Sequence, residues 1–223
     1  MPENMDKLRL RFEKTGRAIY ISHLDLLRTM QRAFLRAQLP IKYSEGFNPH
    51  AIISFALPLS VGASSHCEIM DFRLREYVRP SEIVERLNAA LPEGIVALDV
   101  YEWDKKFKFI KWLDIDGTFE YDDGSAAEKI DALCEFFQRE HIVIEKKTKS
   151  GMGEMDIAPA IRSIVFDVDG GNVILKSTIS AQEPTLNPEL LVSALRQLAP
   201  ELCPDFAAFT RTQIYDSEMN PFR

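Results

Sequence analysis

Cysteine is scarce in this chain of 223 residues, which has three, far apart in the sequence: Cys67, Cys134 and Cys203. An odd number of widely spaced cysteines argues against a disulfide framework and against a zinc knuckle. The sequence also lacks the closely spaced cysteines that hold an iron–sulfur cluster. It has neither a P-loop nor a G-x-G-x-x-G fingerprint, so we expect neither nucleotide hydrolysis nor a Rossmann cofactor site. We therefore predict a protein without a cofactor of its own.

Long hydrophobic runs are missing as well. No apolar run approaches the roughly 18 residues needed to cross a membrane, and the N-terminal segment does not resemble a signal peptide. With 46% hydrophobic residues, the chain can nevertheless bury a real core. We expect a cytoplasmic protein with no membrane contact.

Basic residues are outnumbered, and the net charge of −7 by itself speaks against a nucleic-acid ligand. The charges are unevenly distributed, however. Residues 1–50 carry nine Lys and Arg against five Asp and Glu, whereas the remainder carries 18 against 29. Because a basic patch on an acidic protein can still bind phosphate, the first fifty residues become the candidate region for an anion-binding surface.

Strand and helix patterns follow the order β-α-β-β-α-β, the split βαβ arrangement, and then repeat it. In the first strand, Lys7 to Phe12, apolar and basic residues alternate, which predicts one buried face and one basic face carrying Arg9 and Arg11. We predict an α+β fold of two ferredoxin-like halves in tandem, residues 1–103 and 112–223, joined by a basic and aromatic linker at 104–111. Such tandem halves are a platform for many RNA-binding proteins, which is an analogy at the level of the fold.

The most informative stretch is 20–50, YISHLDLLRTMQRAFLRAQLPIKYSEGFNPH. Ser22 followed by Asp25 is typical of a helix start, where the hydroxyl accepts a backbone N–H and the carboxylate suits the helix dipole. Pro40 ends the predicted helix. Residues at helical spacing predict its buried stripe: Leu24, Leu27, Met30, Phe34 and Ala37. Arg28, Arg32 and Arg36 recur at i, i+4 and i+8 and form a second stripe, which is either a solvated face or a ridge that binds phosphate or carboxylate.

A polar loop follows the helix and combines turn-forming residues with side chains able to stack or form hydrogen bonds. Gly46 and Pro49 are assigned a structural role, as are Ser22 and Asp25 at the helix start. The residues predicted to bind ligand in this loop are Tyr43, Ser44, Phe47, Asn48 and His50.

The motifs S-H-L-D and Y-S-x-G-F-N-P-H carry a resemblance, because no general requirement of a fold dictates them. Residues 7–71 closely resemble the opening signature of the uncharacterised bacterial radical-SAM-linked family, and KKTKSGMGEMDI at 146–157 resembles it more loosely. The resemblance implies an accessory protein encoded beside, or fused to, a radical-SAM protein. It supplies a partner and no mechanism.

The residues themselves favour binding over catalysis. Arginines and lysines would contact phosphates while Tyr43 and Phe47 stack on unpaired bases, so we expect an accessory RNA-binding protein for tRNA or rRNA. A second basic loop would be provided by Lys146, Lys147 and Lys149, with Asp156 orienting these lysines.

Two alternatives stay open. One is a small metal-independent ribonuclease or RNA-modifying enzyme in which His23 or His50 acts as the acid–base group. The other is a protein–protein adaptor for the radical-SAM partner. A metal site is not expected, because the candidate ligands lack metal-binding spacing: His23, Asp25, His50, His66, Cys67 and Glu68.

The loop follows the helix directly, so we predict that both contribute to one pocket. Glu68, one hairpin further along, would reach it. The predicted pocket consists of Arg32, Arg36, Tyr43, Ser44, Phe47, Asn48, His50 and Glu68, with Arg28 on the same ridge.

Overall fold

The structure is a computed structural model that describes residues 6–148 and 151–223. It confirms the α+β class. The chain forms two compact units: unit 1 comprises residues 6–107 with Arg223, and unit 2 comprises Lys108–Phe222. In the described residues, no helix is long and apolar enough to span a membrane.

Unit 1 packs two helices against an antiparallel sheet. Its elements are β1 (Leu8–Lys14), α1 (His23–Arg36), β2 (Ile53–Phe55), β3 (Ser64–Phe72), α2 (Pro80–Asn88) and β4 (Ile95–Glu102). The strands lie in the order β4-β1-β3-β2, and each neighbouring pair is antiparallel. The sheet therefore places β1 and β3 in its middle and leaves β4 at an edge of this unit.

The core of unit 1 lies between the sheet and α1. Leu8 and Leu10 pair with Phe72 and Met70 across β1 and β3, so these side chains share one face of the sheet. Phe34 of α1 packs against Phe72 with ring centroids 5.0 Å apart. Each such fully buried side chain contributes roughly 2 kcal/mol through apolar burial.

The buried stripe of α1 differs from the predicted one at its start. Leu26, Met30, Ala33 and Phe34 are buried, whereas Leu24 is 62% exposed. Leucines at positions 24, 26, 27 and 35 allow more than one helical stripe, and periodicity alone does not choose between them. The structure therefore turns Leu24 toward solvent and Leu26 toward the sheet.

The predicted basic face of β1 is also corrected. Arg9 is 0% exposed and Lys14 is 1% exposed, while Arg11 is partly exposed. The Arg9 guanidinium donates to both carboxylate oxygens of Asp71, at 2.6 and 3.0 Å, and lies 4.5 Å from the Phe107 ring centroid. Arg9 therefore organises the interior of unit 1 and is not available to a phosphate.

Unit 2 repeats the helix-on-sheet arrangement with an added hairpin. Its elements are β5 (Ile110–Glu120), α3 (Ala126–Phe137), β6 (Val143–Thr148), β7 (Gly151–Asp156), β8 (Ile161–Asp169), β9 (Asn172–Ser180), α4 (Glu189–Leu198) and β10 (Phe206–Asp216). Four strands lie in the order β10-β5-β9-β8, with antiparallel neighbours, and β6 and β7 form a separate two-stranded sheet. Because β5 begins at Ile110, the last two residues of the predicted linker belong to this strand.

Gly117 in the middle of β5 shows how tightly unit 2 is packed. A Cβ atom at this position would lie 2.8 Å from Cγ of Leu175 and 3.0 Å from Cδ1 of Phe209. The backbone of β5 can approach these side chains only because residue 117 has no side chain.

Candidate functional site

The start of α1 is fixed by a local network. Ser22 is the N-cap, and its Oγ accepts from the Asp25 backbone N at 3.2 Å and donates to the Asp25 carboxylate at 2.8 Å. The Arg28 guanidinium donates to the same carboxylate at 3.0 Å. These hydrogen bonds from Ser22 and Arg28 hold the pKa of Asp25 below its usual value. Ser22 and Asp25 thus order the first turn of the helix.

The arginine stripe on α1 is divided between two roles. Arg28 and Arg32 are exposed along the helix. Arg36 instead donates through Nε and Nη2 to the backbone oxygen of Ala90, at 3.3 and 2.6 Å. Arg36 therefore caps the chain that leaves α2, where unpaired carbonyls accumulate.

Arg86 of α2 returns the same interaction. Its Nε donates to the Ala37 oxygen at 2.9 Å and its Nη2 to the Gln38 oxygen at 2.5 Å, just beyond the end of α1. Arg36 and Arg86 also line an open cavity of about 460 Å³, together with Ala37, Gln38, Ala89 and Ala90. The structure thus groups Arg36 with Arg86, and no residue of the polar loop lines this cavity.

The polar loop rises from a short ladder of backbone hydrogen bonds. Lys42 N donates to Arg73 O at 2.8 Å, and Arg75 N donates to Pro40 O at 2.8 Å. Ile41 and Leu74 face each other across this ladder, and both are buried. Because side chains alternate along extended chains, Lys42, Arg73 and Arg75 point away from the core.

Arg73 and Arg75 are functional candidates that the sequence reasoning missed. Both are exposed, and the ladder places them beside Lys42, which also pairs with Asp6 at 3.0 Å. The alternation Arg73-Leu74-Arg75 was the available signal, since one buried leucine between two arginines indicates a basic outer face. We call Lys42, Arg73 and Arg75 the basic cluster of the loop.

The loop above this basic cluster is closed by Ser44 and His50. Ser44 N donates to His50 O at 2.8 Å, and His50 N donates to Ser44 Oγ at 3.1 Å. Nδ1 of the His50 ring lies 2.9 Å from the same hydroxyl. Gly46 has a φ of +124°, a conformation that favours glycine. Ser44, Gly46 and His50 therefore give the loop a defined shape.

This shape holds aromatic side chains in solvent. Phe47 has a relative exposure of 112%, and Tyr43 is 40% exposed. Asn48 and Pro49 next to Phe47 are exposed as well. Holding a whole phenyl ring in water is unfavourable in isolation, which makes this ring a candidate contact for a ligand.

Glu68 does not lie on this surface. It is 2% exposed and pairs across the sheet with Phe12, on the face that packs on the helices. Its negative charge acts on the buried Lys14 amine, whose pKa is lowered by burial and partly restored by Glu68. Lys14 Nζ also donates to Ile19 O at 2.9 Å. The structure therefore places Glu68 inside unit 1, where its charge acts on Lys14, and not in an open pocket with the loop.

The second basic segment lies on the β6–β7 hairpin of unit 2. Lys147 is exposed and lies opposite Met152 in the cross-strand register. Glu145 and Glu154 lie opposite each other two residues away on the same face of the hairpin, so the lysine has acidic neighbours. Lys146 Nζ lies 3.0 Å from the Met155 sulfur. Lys149 lies outside the described residues.

Asp156 serves the base of this hairpin. Its carboxylate accepts from His141 Nδ1 at 2.7 Å and from the backbone N of Ile142 and Ala158, at 2.9 and 3.1 Å. These hydrogen bonds, first of all the one from His141, lower the pKa of Asp156. Asp156 therefore orders the hairpin base, whereas the sequence suggested that it orients lysines.

The two histidines considered for acid–base chemistry have different surroundings. The exposed His23 ring packs edge-on against Phe55, with centroids 5.4 Å apart, whereas Nδ1 of His50 is engaged by Ser44. Within the described ranges, no three His, Cys, Asp or Glu residues are grouped so as to hold a metal ion.

Fold and surface together define a two-unit α+β protein with an exposed aromatic loop above a cluster of basic residues. The chain belongs to the family described as "Uncharacterized protein conserved in bacteria" (DUF2344), whose model matches residues 7–188.

Comparison with other proteins adds information on the fold. A search of curated proteins gave no match. A chain in the crystal structure of a Cbf5-Nop10-Gar1 complex is similar over 95% of this chain and 50% of that chain, with 10% identity and a TM-score of 0.51. An unknown protein from Galdieria sulphuraria is matched over 92% of this chain and 98% of that chain, with 10% identity and a TM-score of 0.26. The present chain thus spans half the length of the first of these, and that similarity concerns the fold alone.

Proposed function

We propose that this protein is an RNA-binding accessory protein that acts with a radical-SAM enzyme and binds unpaired bases through the Tyr43–His50 loop. The observation that carries the proposal is the fully exposed Phe47 ring on a loop whose shape is set by Ser44 and His50. Because hydrogen bonds already order the backbone of the loop, little of it has to be ordered before the ring stacks on a base, which favours binding.

The basic cluster of the loop supplies contacts to phosphates, which complement the stacking of Phe47. Lys42, Arg73 and Arg75 point outward on neighbouring chain segments, so they can contact successive phosphates while a base stacks on Phe47. Tyr43 adds a second ring with a hydroxyl for hydrogen bonding. Cations beside exposed rings are the combination by which proteins bind single-stranded nucleic acid.

The partner and the finer fold class belong to the same proposal. The radical-SAM partner is supported by the sequence resemblance of residues 7–71. The ferredoxin-like class of the two units is supported by their strand orders, β4-β1-β3-β2 and β10-β5-β9-β8, which correspond position by position when the β6–β7 hairpin is treated as an insertion. The catalytic alternative with His23 or His50 stays a prediction.

Binding of fluorescein-labelled single-stranded RNA, followed by anisotropy, tests this function. Phe47→Ala should weaken affinity about tenfold, because stacking on one base contributes roughly 1–3 kcal/mol. Phe206→Ala is the matched control, since this phenylalanine of β10 in unit 2 is 58% exposed. The control should bind as the unaltered protein does.

Salt dependence tests the cations separately. Three neutralised phosphates predict a slope of about −2 for log K against log salt concentration. Arg73→Ala should make this slope shallower by about 0.7. No RNA binding even at low salt would contradict the proposal and leave the adaptor alternative. Equal affinities of the Phe47→Ala and Phe206→Ala variants would contradict the role proposed for Phe47.

A further inference from the structure

The exposed face of α1 carries leucines as well as arginines. Leu24 is 62% exposed and Leu35 is 58% exposed. An α-helix turns by about 100° per residue, so Arg28, Arg32 and both leucines lie within an arc of about 80° around the axis of α1. Arg28 pairs with Asp25 at 3.0 Å, and Ser22 donates to the same carboxylate, so Asp25 offsets part of the positive charge of Arg28. This α1 face, defined by Leu24, Arg28, Arg32 and Leu35, is therefore apolar and basic and suits a protein surface better than a phosphate backbone.

A complementary face exists on α3 of unit 2. Glu128, Asp131 and Glu135 are exposed, and they recur at i, i+3 and i+7 on one side of this helix. Small side chains, Ala127 and Cys134, lie along one edge of this acidic stripe. The one lysine of the helix, Lys129, donates to Glu201 O at 2.6 Å. The α3 face, defined by Ala127, Glu128, Asp131, Cys134 and Glu135, is therefore acidic with small residues along one edge.

We propose that the α1 face of one copy of this protein docks on the α3 face of a second copy. Arg28 and Arg32 are four residues apart, as are Asp131 and Glu135, so both charge pairs repeat at about 6 Å along their helices. The leucines would pack against the small residues of α3, where helix backbones can approach closely.

The charge of the two units favours this pairing over a like-with-like contact. Met1–Phe107 with Arg223 contains 16 basic and 14 acidic residues, a net charge of +2, whereas Lys108–Phe222 contains 11 basic and 20 acidic residues, a net charge of −9. Each copy carries both faces, so it can take part in this contact with either of them. A bound RNA, by contrast, would use the arginines and leave the leucines uncovered.

Reciprocal charge reversal provides the test. One variant is Arg28→Glu/Arg32→Glu and the other is Asp131→Arg/Glu135→Arg. Sedimentation velocity at low salt should show dimers of the unaltered protein, and each variant alone should dissociate with a dissociation constant at least tenfold higher. An equimolar mixture of the two variants should recover the dimer, because the reversed α1 face then meets the reversed α3 face.

Lys176→Glu/Arg196→Glu is the control, because it changes the net charge as the first variant does but at exposed positions elsewhere in unit 2. It should dimerise as the unaltered protein does, and circular dichroism should show that all variants are folded. An unaltered protein that stays monomeric would overturn the proposal, as would a mixture that fails to associate. The proposal would also be overturned if Arg28→Glu/Arg32→Glu lost RNA binding but still dimerised. RNA binding through Phe47 is measured separately, so failure of either proposal is recognised without the other.

Discussion

At the scale of single residues, Arg9 is the side chain on which unit 1 most depends. It is fully buried, and besides Asp71 it donates to the backbone oxygens of Lys105 and Arg223, at 3.0 and 2.9 Å. Burial raises the pKa of Asp71 although Arg9 opposes that shift. A buried ion pair of this kind contributes little net stability over a hydrophobic pair, but losing one partner leaves an unpaired charge.

Arg9→Met should therefore lower the free energy of unfolding by about 3 kcal/mol in urea denaturation. Arg9→Met/Asp71→Leu should be more stable than the single variant, because the buried carboxylate is removed as well. Arg11→Met, on the same strand but only partly buried, should cost less than about 1 kcal/mol. A loss below that value for Arg9→Met would show that the pair has no such role.

Arg9 also shows where prediction from sequence reaches its limit. The alternation in KLRLRF correctly pairs Leu8, Leu10 and Phe12 on the core face, because that pattern is local. What covers the opposite face depends on Trp103, Phe107 and Arg223, which are remote in the sequence. The cap at Ser22 is the contrasting case, because its partner is three residues away.

At the scale of elements, both units protect a strand with a side-chain amide from a helix. Asn88 at the end of α2 donates to Ala97 O at 2.9 Å and accepts from Ala97 N at 2.8 Å. Gln197 of α4 forms the same pair of hydrogen bonds with Glu145 of β6, at 3.0 and 2.8 Å. An exposed strand edge invites pairing with another chain, and these amides occupy the backbone groups that would do so.

Asn88→Ala should lower the free energy of unfolding by about 1–3 kcal/mol, because it leaves two partly buried backbone groups without partners. Asn88→Asp is the matched variant, since it retains an acceptor for Ala97 N but places a carboxylate beside Ala97 O. It should also be destabilised, and no less than about 1 kcal/mol at neutral pH. Chemical denaturation at pH 7 measures both, and an unchanged midpoint for Asn88→Ala would refute the protective role.

Elements with strong periodicity were predictable and those without it were not. The helices at α1 to α4 follow from apolar spacing, and the Gly170-Gly171 hairpin follows from turn chemistry. The sequence of strand β7 does not predict a strand, because GMGEMD has two glycines and no clear alternation, and only its pairing with β6 makes it one. The loop residues 43–50 were recognised as unusual from composition, but the ladder that adds Arg73 and Arg75 needed the fold.

At the scale of the whole molecule, the two units differ in net charge. Unit 1, with a net charge of +2, carries the aromatic loop and its basic cluster. Unit 2, with a net charge of −9, carries the hairpin lysine Lys147 beside acidic neighbours. The negative charges of unit 2 repel a polyanion such as RNA over about a Debye length, which is roughly 8 Å at physiological salt. RNA should therefore lie on unit 1 even though both units have exposed lysines or arginines.

Photocrosslinking of 4-thiouridine-labelled single-stranded RNA to the full chain, followed by peptide mapping, tests this division. We expect crosslinked peptides to contain Tyr43 or Phe47, because these exposed rings would lie against the bases, and we expect few from Lys108–Phe222. Phe47→Ala should reduce the crosslinking yield at this loop, and Phe206→Ala should leave it unchanged. Crosslinks concentrated on the β6–β7 hairpin would instead assign RNA binding to unit 2, because a photoreactive base reports the side chain that it touches and not the net charge of the surface around it.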